Sequence, residues 1–201
     1  MKNQLQSRRQ FLRQITAASA LTLLPTMAAQ SQGRQVDRIG LQLYTLRKEM
    51  TNDFEGTLER VAELGYKEME FAGYYGRSAG EVRDLLDRLG LSSPASHISL
   101  DLIRNDLNKQ IDIAAEIGQS YIVIPSVPAA ERTLSDFEKH AETLNEVGQK
   151  CKEAGLTIVY HNHSFEFEAQ GTGTGYEHLL AHTDANTVYF ELDLYLSLIH
   201  I

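Results

Sequence analysis

In the stretch Lys150-Cys151-Lys152-Glu153-Ala154-Gly155-Leu156-Thr157-Ile158-Val159-Tyr160-His161 the hydrophobic period changes midway. Upstream, Phe137, Ala141, Leu144, Val147 and Cys151 recur at helical spacing; downstream, Ile158-Val159-Tyr160 is a short, largely β-branched run. Ala154-Gly155 stands between them, and Gly suits the end of a helix because it adopts φ > 0 without a Cβ clash. The same junction recurs at Leu64-Gly65, Leu89-Gly90 and Ile117-Gly118. Candidate strands are Ile39–Leu43, Lys67–Phe71, Ser93–Ile98, Tyr121–Pro125, Thr157–His161 and Val188–Asp193, with helical patterns such as Phe54, Leu58, Val61, Leu64 between them. Strict alternation of this kind implies parallel strands joined by right-handed crossovers, in either an open doubly wound sheet or a closed (β/α)8 barrel. Against a nucleotide-binding open sheet, no Gly-rich phosphate turn follows the first strand. The run Gly171-Thr172-Gly173-Thr174-Gly175 comes after the fifth strand, lacks the G-x-G-x-x-G order and reads as a flexible loop. Ser135-Asp136-Phe137-Glu138 reads as a capping box with Ser135 as N-cap. The expected fold is α/β: a parallel (β/α) barrel spanning residues 37–195 and supplying about six of its eight strand-helix units.

Strands covered on both faces should be nearly all apolar, so inward polar residues near their C-terminal ends need a reason. Period two groups Gln42 with Tyr44, Glu68 with Glu70, His97 with Ala95, and His161 and His163 with Val159; it also sets Tyr189, Glu191 and Asp193 on one face. Singly, each fits a hydrogen-bonded strand histidine or a solvated acid. Together they bring His, Glu, Asp or Tyr from five of six strands to one end, the end that carries the chemistry in barrels. Mixed carboxylates and imidazoles suit a divalent metal: Mn²⁺, Co²⁺, Zn²⁺ or Mg²⁺. His161-Asn162-His163 is not read as a nuclease motif, which needs a ββα setting.

Residues 1–29 differ from the rest. Lys2, Arg8, Arg9 and Arg13 appear with no acid, followed by an apolar run from Ile15 to Leu24 that is too short for a bilayer span. Ser7-Arg8-Arg9-Gln10-Phe11-Leu12-Arg13 resembles the twin-arginine export motif, and Thr26–Gln30 offers small residues for cleavage. A periplasmic protein with no stable membrane anchor is expected. Loss of those four cations takes the formal charge from −8 to −12. That acidity, with no basic stripe, argues against a nucleic-acid partner. Cys151 is the only cysteine, so no intrachain disulfide forms, and it reads as a small packing residue.

Tyr160-His161-Asn162-His163-Ser164-Phe165-Glu166-Phe167, followed by Glu191-Leu192-Asp193-Leu194-Tyr195, resembles the xylose-isomerase-like TIM barrels of the sugar phosphate isomerase/epimerase family. Gly40–Arg47, Glu68–Tyr74 and Ser96-His97 support the match, which runs from about Arg38 to Tyr195. The resemblance implies one divalent metal held by acid and His ligands from later strands. Carried over, Asp193 is the sixth-strand ligand and Glu166 or His163 the fifth-strand one; Glu70, His97 and His161 contact substrate or shuttle protons, and Gln42 and Tyr44 bind substrate. The sequence departs in having His161 and His163 where the family often has Glu. Leu196–Ile201 resembles adapter-derived sequence more than barrel, so a non-native tail and a truncated barrel are expected. The implied function is isomerisation, epimerisation or elimination next to the carbonyl of a small carbohydrate. An endonuclease-IV-like phosphodiesterase and a non-catalytic sugar-binding barrel or inactive fragment stay open as alternatives. The oligomeric state is not legible.

Overall fold

The computed structural model describes residues 38–199; the expected signal segment, and His200 and Ile201 of the expected tail, lie outside them. The strands are β1 (Gly40–Gln42), β2 (Glu68–Phe71), β3 (Ser92–His97), β4 (Tyr121–Ile124), β5 (Thr157–His161), β6 (Ala169–Gln170), β7 (Gly173–Thr174) and β8 (Val188–Glu191). The helices are α1 (Arg47–Asn52), α2 (Phe54–Glu63), α3 (Ala79–Leu89), α4 (Leu100–Ile117), α5 (Leu134–Glu153), α6 (Gly175–His182) and α7 (Leu194–Leu198). Six strands form one sheet in the order β1-β2-β3-β4-β5-β8, and every adjacent pair is parallel. Five of the six expected strands are found within one residue at each end; the sixth stops at Glu191, two residues short of Asp193. Among the described residues, no helix is long and apolar enough to cross a membrane.

Gly65, Gly90, Gly118 and Gly155 have φ of +95°, +63°, +88° and +78°, the conformation their place after each helix requires. Two sequence readings are corrected. Helix α5 begins two residues earlier than expected: Thr133 is the N-cap, and Asp136 closes the capping box by accepting from the Thr133 amide at 3.2 Å. Glu138 is thereby released to face α6. The glycine-rich run is no free loop: β6 and β7 pair antiparallel across it, and Thr174 caps α6.

Alternation along the strands sorts the core into layers. Ile122, Ile124, Ile158 and Tyr160 point to the helices and pack with Phe137, Ala141, Leu144, Cys151 and Leu179. Met69 and Phe71 do the same against Met50, Phe54, Leu58, Val82 and Leu86. Burying one side chain of this size contributes about 1.5–3 kcal/mol. On the opposite face of the sheet the buried apolar cluster is just Ala95, Val123 and Val159 among the described residues, a thin floor that leaves the strand ends above it open.

β3 carries one extra residue. Glu68 pairs with Ser92 and Glu70 with Ala95, so two steps on β2 face three on β3. The bulge falls beside Pro94, which has no N–H to give to a ladder. Buried Gln119 ties the spot together, donating to Ser93 Oγ at 2.8 Å and the Ala95 carbonyl at 3.3 Å while accepting from Ser96 Oγ at 3.1 Å and Tyr74 OH at 3.2 Å.

Gly148 sits where α5 passes close to the strand region. A Cβ there would stand 2.9 Å from the Thr187 carbonyl oxygen and 3.1 Å from Ile158 Cγ2. Overpacking costs about 1–3 kcal/mol, against a gain of about 0.5–1 kcal/mol from replacing a helical Gly. Gly148→Ala is therefore expected to lower the unfolding free energy by about 1 kcal/mol and so to shift the urea midpoint down; a raised midpoint contradicts this packing.

Candidate metal centre

The parallel register carries chemistry across the sheet, because paired residues share a face. Gln42 pairs with Glu70, His97 with Val123, and His161 with Glu191. The C-terminal ends of β1, β2, β3, β5 and β8 thus meet over the small-residue floor. His161 Nδ1 lies 2.8 Å from Glu191 Oε1. His97 Nε2 lies 3.6 Å from the same oxygen and 3.3 Å from Glu70 Oε2. The His97 and His161 ring centroids are 5.0 Å apart. His97, His161 and Glu191 each offer a donor atom within 4.8 Å of the others.

Gln42 sets the His97 ring. Its Oε1 accepts from the Tyr44 amide at 2.7 Å, and its Nε2 then faces His97 Nδ1 at 3.3 Å. In the neutral ring Nδ1 accepts from Gln42 and the proton sits on Nε2, toward the carboxylates. Burial disfavours charge on His97, yet Glu191 and Glu70 outweigh it and pull its pKa up. Burial also pushes Glu70 up, aided by the negative charge of Glu191 and only partly opposed by His97. Glu191 goes the other way: burial is overcome by His161, and then by the proximity of His97 and Glu70, which together hold its carboxyl well below the usual range. His97 Nε2 is buried without a well-directed hydrogen bond. A nitrogen with no aligned partner, aimed at two carboxylates beside a second imidazole, fits a divalent cation, which would take the place of the proton.

A cavity of about 560 Å³ opens beside this group, lined by Gln42, Tyr44, His97, His161, His163 and Asp193 among others. The expected residues Glu70, His97 and His161 therefore gather into one cluster, with Gln42 and Tyr44 at its edge. His163 and Asp193 face the same cavity. His163 Nδ1 is buried with no hydrogen-bond partner, and burial, followed by the charge of His161, lowers its pKa. Asp193 is held by Asn162, whose Oδ1 accepts from its amide at 3.1 Å, and it caps α7 by accepting from Leu196 N at 2.8 Å. Leu196 to Leu198 of the expected tail continue that helix.

Glu166 does not join them. It sits in a short 3-10 turn, Phe165–Phe167, and is fully buried. Its Oε1 accepts from Tyr160 OH at 2.9 Å and its Oε2 from the His163 amide at 2.8 Å. Tyr160 belongs to the helix-side core, so this carboxylate braces the loop after β5 from the far layer. The carboxylate that does face the imidazoles is Glu191, two residues before Asp193 on the same strand phase.

Residues 58–195 match the family described as Xylose isomerase-like TIM barrel. No curated protein matches the chain. A sugar phosphate isomerase/epimerase from Parabacteroides distasonis is 30% identical with a TM-score of 0.67, over 86% of this chain and 71% of that one. An L-ribulose 3-epimerase, at 19% identity and a TM-score of 0.55, covers 77% of this chain and 60% of its own. An IOLI protein with a bound zinc atom, at 12% identity and a TM-score of 0.58, covers 75% and 60%. The last two share the fold.

The two carboxylates separate by experiment. Glu191→Gln is expected to weaken Mn²⁺ binding at least about tenfold in calorimetry, by removing a charged donor. Glu166→Ala should leave that affinity intact and lower stability by roughly 1–3 kcal/mol in urea unfolding, since it orphans two buried donors. The reverse pattern would move the metal to Glu166.

Proposed function

Because the chain belongs to the xylose isomerase-like TIM barrel family, we propose that the intact protein is a metal-dependent sugar isomerase or epimerase, or a keto-sugar lyase, working next to a carbonyl through an enediolate. The observation that carries this reading is the joining of Glu70, His97, His161 and Glu191 from four parallel strands beside one cavity. His97, His161 and Glu191 would hold the ion, with His163 and Asp193 facing the same space. When bound, a divalent ion of the Mn²⁺, Co²⁺, Zn²⁺ or Mg²⁺ group supplies Lewis acidity toward the substrate's carbonyl and hydroxyl oxygens.

The proton at the neighbouring carbon falls to Glu70. Its pKa is raised, by burial first and then by Glu191, the direction that suits a carboxyl handling a proton in both directions. Gln42 and Tyr44 border the cavity and orient a polyol, and His163, which lines the same cavity, offers a further contact for a hydroxyl. The thin floor of Ala95, Val123 and Val159 excludes water beneath the reacting carbon. Export, inferred from Ser7–Arg13, favours a free or keto-modified sugar over a sugar phosphate.

Two measurements test this. With the full-length protein, deuterium from D₂O should enter the α-carbon of a ketose substrate only when Mn²⁺ is added. Glu70→Gln should slow that exchange about 10²-fold or more while Mn²⁺ still binds, as expected for loss of a general acid–base. No exchange across a panel of ketoses would refute the activity. Replacing Arg8 and Arg9 by Lys should strand the precursor in the cytoplasm in a fractionation blot; unchanged export would remove the address.

A further inference from the structure

A second group of donors lies on the helix layer, on elements that contribute nothing to the strand-end cluster. Glu138 of α5 and His178 and His182 of α6 each offer a donor atom within 4.8 Å of the others. The histidines are four residues apart, so they share one face of α6, and their rings stack 5.6 Å apart at 18°. Glu138 Oε1 lies 3.1 Å from His178 Nδ1. His182 Nδ1 donates to the His178 carbonyl at 2.8 Å, which leaves its Nε2 as the lone-pair nitrogen.

The frame holding these side chains is fixed at both ends. At the start of α6, Gly175 lies so close to the Phe137 ring, next to Glu138, that a Cβ there would collide with it. At its end, Asn145 of α5 donates to the His182 carbonyl at 2.9 Å and accepts from the Asp184 amide at 2.7 Å. Glu138 is free for this role because Thr133 and Asp136 cap α5 without it. A simple helix-to-helix hydrogen bond would account for Glu138 and His178. It leaves unexplained a second imidazole stacked on the first with its tautomer fixed by the helix backbone.

We propose that Glu138, His178 and His182 form a second metal site, taking a Zn²⁺-class transition ion with two imidazoles and one carboxylate and leaving its remaining positions to solvent. Two histidines at i and i+4 on one helix face are a recurrent zinc-binding spacing. Nitrogen donors select borderline transition ions over Mg²⁺ and Ca²⁺, which prefer all-oxygen shells. The bound ion joins α6 to α5.

The test is equilibrium dialysis of the full-length protein against micromolar Zn²⁺, followed by metal analysis, for the wild type, His178→Gln, His182→Gln and Glu138→Gln. The wild type should retain one more equivalent of zinc than His182→Gln or His178→Gln, and each variant should weaken that binding about tenfold or more. Zinc should raise the wild-type Tm more than that of His182→Gln, with Mg²⁺ giving no such difference. His182 is exposed, so its variant should match the wild-type circular dichroism in EDTA. Equal zinc content in the wild type and His182→Gln overturns the site, as does loss on Glu138→Gln alone. No residue is shared with the strand-end cluster, so the difference reads this site whether or not that centre binds metal.

Discussion

Glu191 stands between two imidazoles, 2.8 Å from His161 and 3.6 Å from His97, and Glu70 lies 3.3 Å from the same His97 nitrogen. Two carboxylates share this recess with no Lys or Arg lining the cavity beside it. Burial, and after it the charge of Glu191, raises the pKa of Glu70, so the two acids resist being ionised together. A positive species is favoured among them, and the His97 ring, whose pKa the two acids pull up, is placed to be one. The sheet is what makes this crowding possible: parallel pairing stacks the strand ends in register, and the thin floor beneath them provides no bulk that would push the side chains apart.

The outer helix layer shows the same economy of placement with different means. There, close contact at Gly175 and the Asn145 clasp hold the two helices, so that three polar side chains meet without a strand register. The two groups differ in setting. The strand-end group is recessed and borders a cavity; the helix group is partly exposed and closes on itself.

The parallel sheet was legible because the helix–Gly–strand junctions are local signals, each requiring a backbone conformation that side chains resist. Glu70, His97 and His161 were legible because they lie on strands, where alternation of two decides which way a residue points. Glu166 was not: past His161 the chain leaves the strand for a 3-10 turn, alternation lapses, and the carboxylate folds back to the helix side against Tyr160. Glu191 was visible on the inward phase with Asp193 and was passed over in favour of that neighbour. Its pairing with His161 across β5 and β8 is a register fact that no single strand discloses. The Glu138 reading failed for a related reason, since two overlapping capping patterns fit the sequence and only Thr133 and Asp136 make the contacts.

The extra residue in β3 has a consequence of parity. Counting from Ser92 opposite Glu68, an unbroken ladder would set Pro94 opposite Glu70 and turn His97 toward the helices. The bulge shifts the count by one and turns the imidazole inward, and Gln119 fastens the shifted backbone in place. The aim of that ring is therefore fixed by how many residues precede it in the strand. Between Ser92 and His97 the chain should accept a change in length by two far more readily than by one, a rule that a substitution scan at fixed length would never uncover.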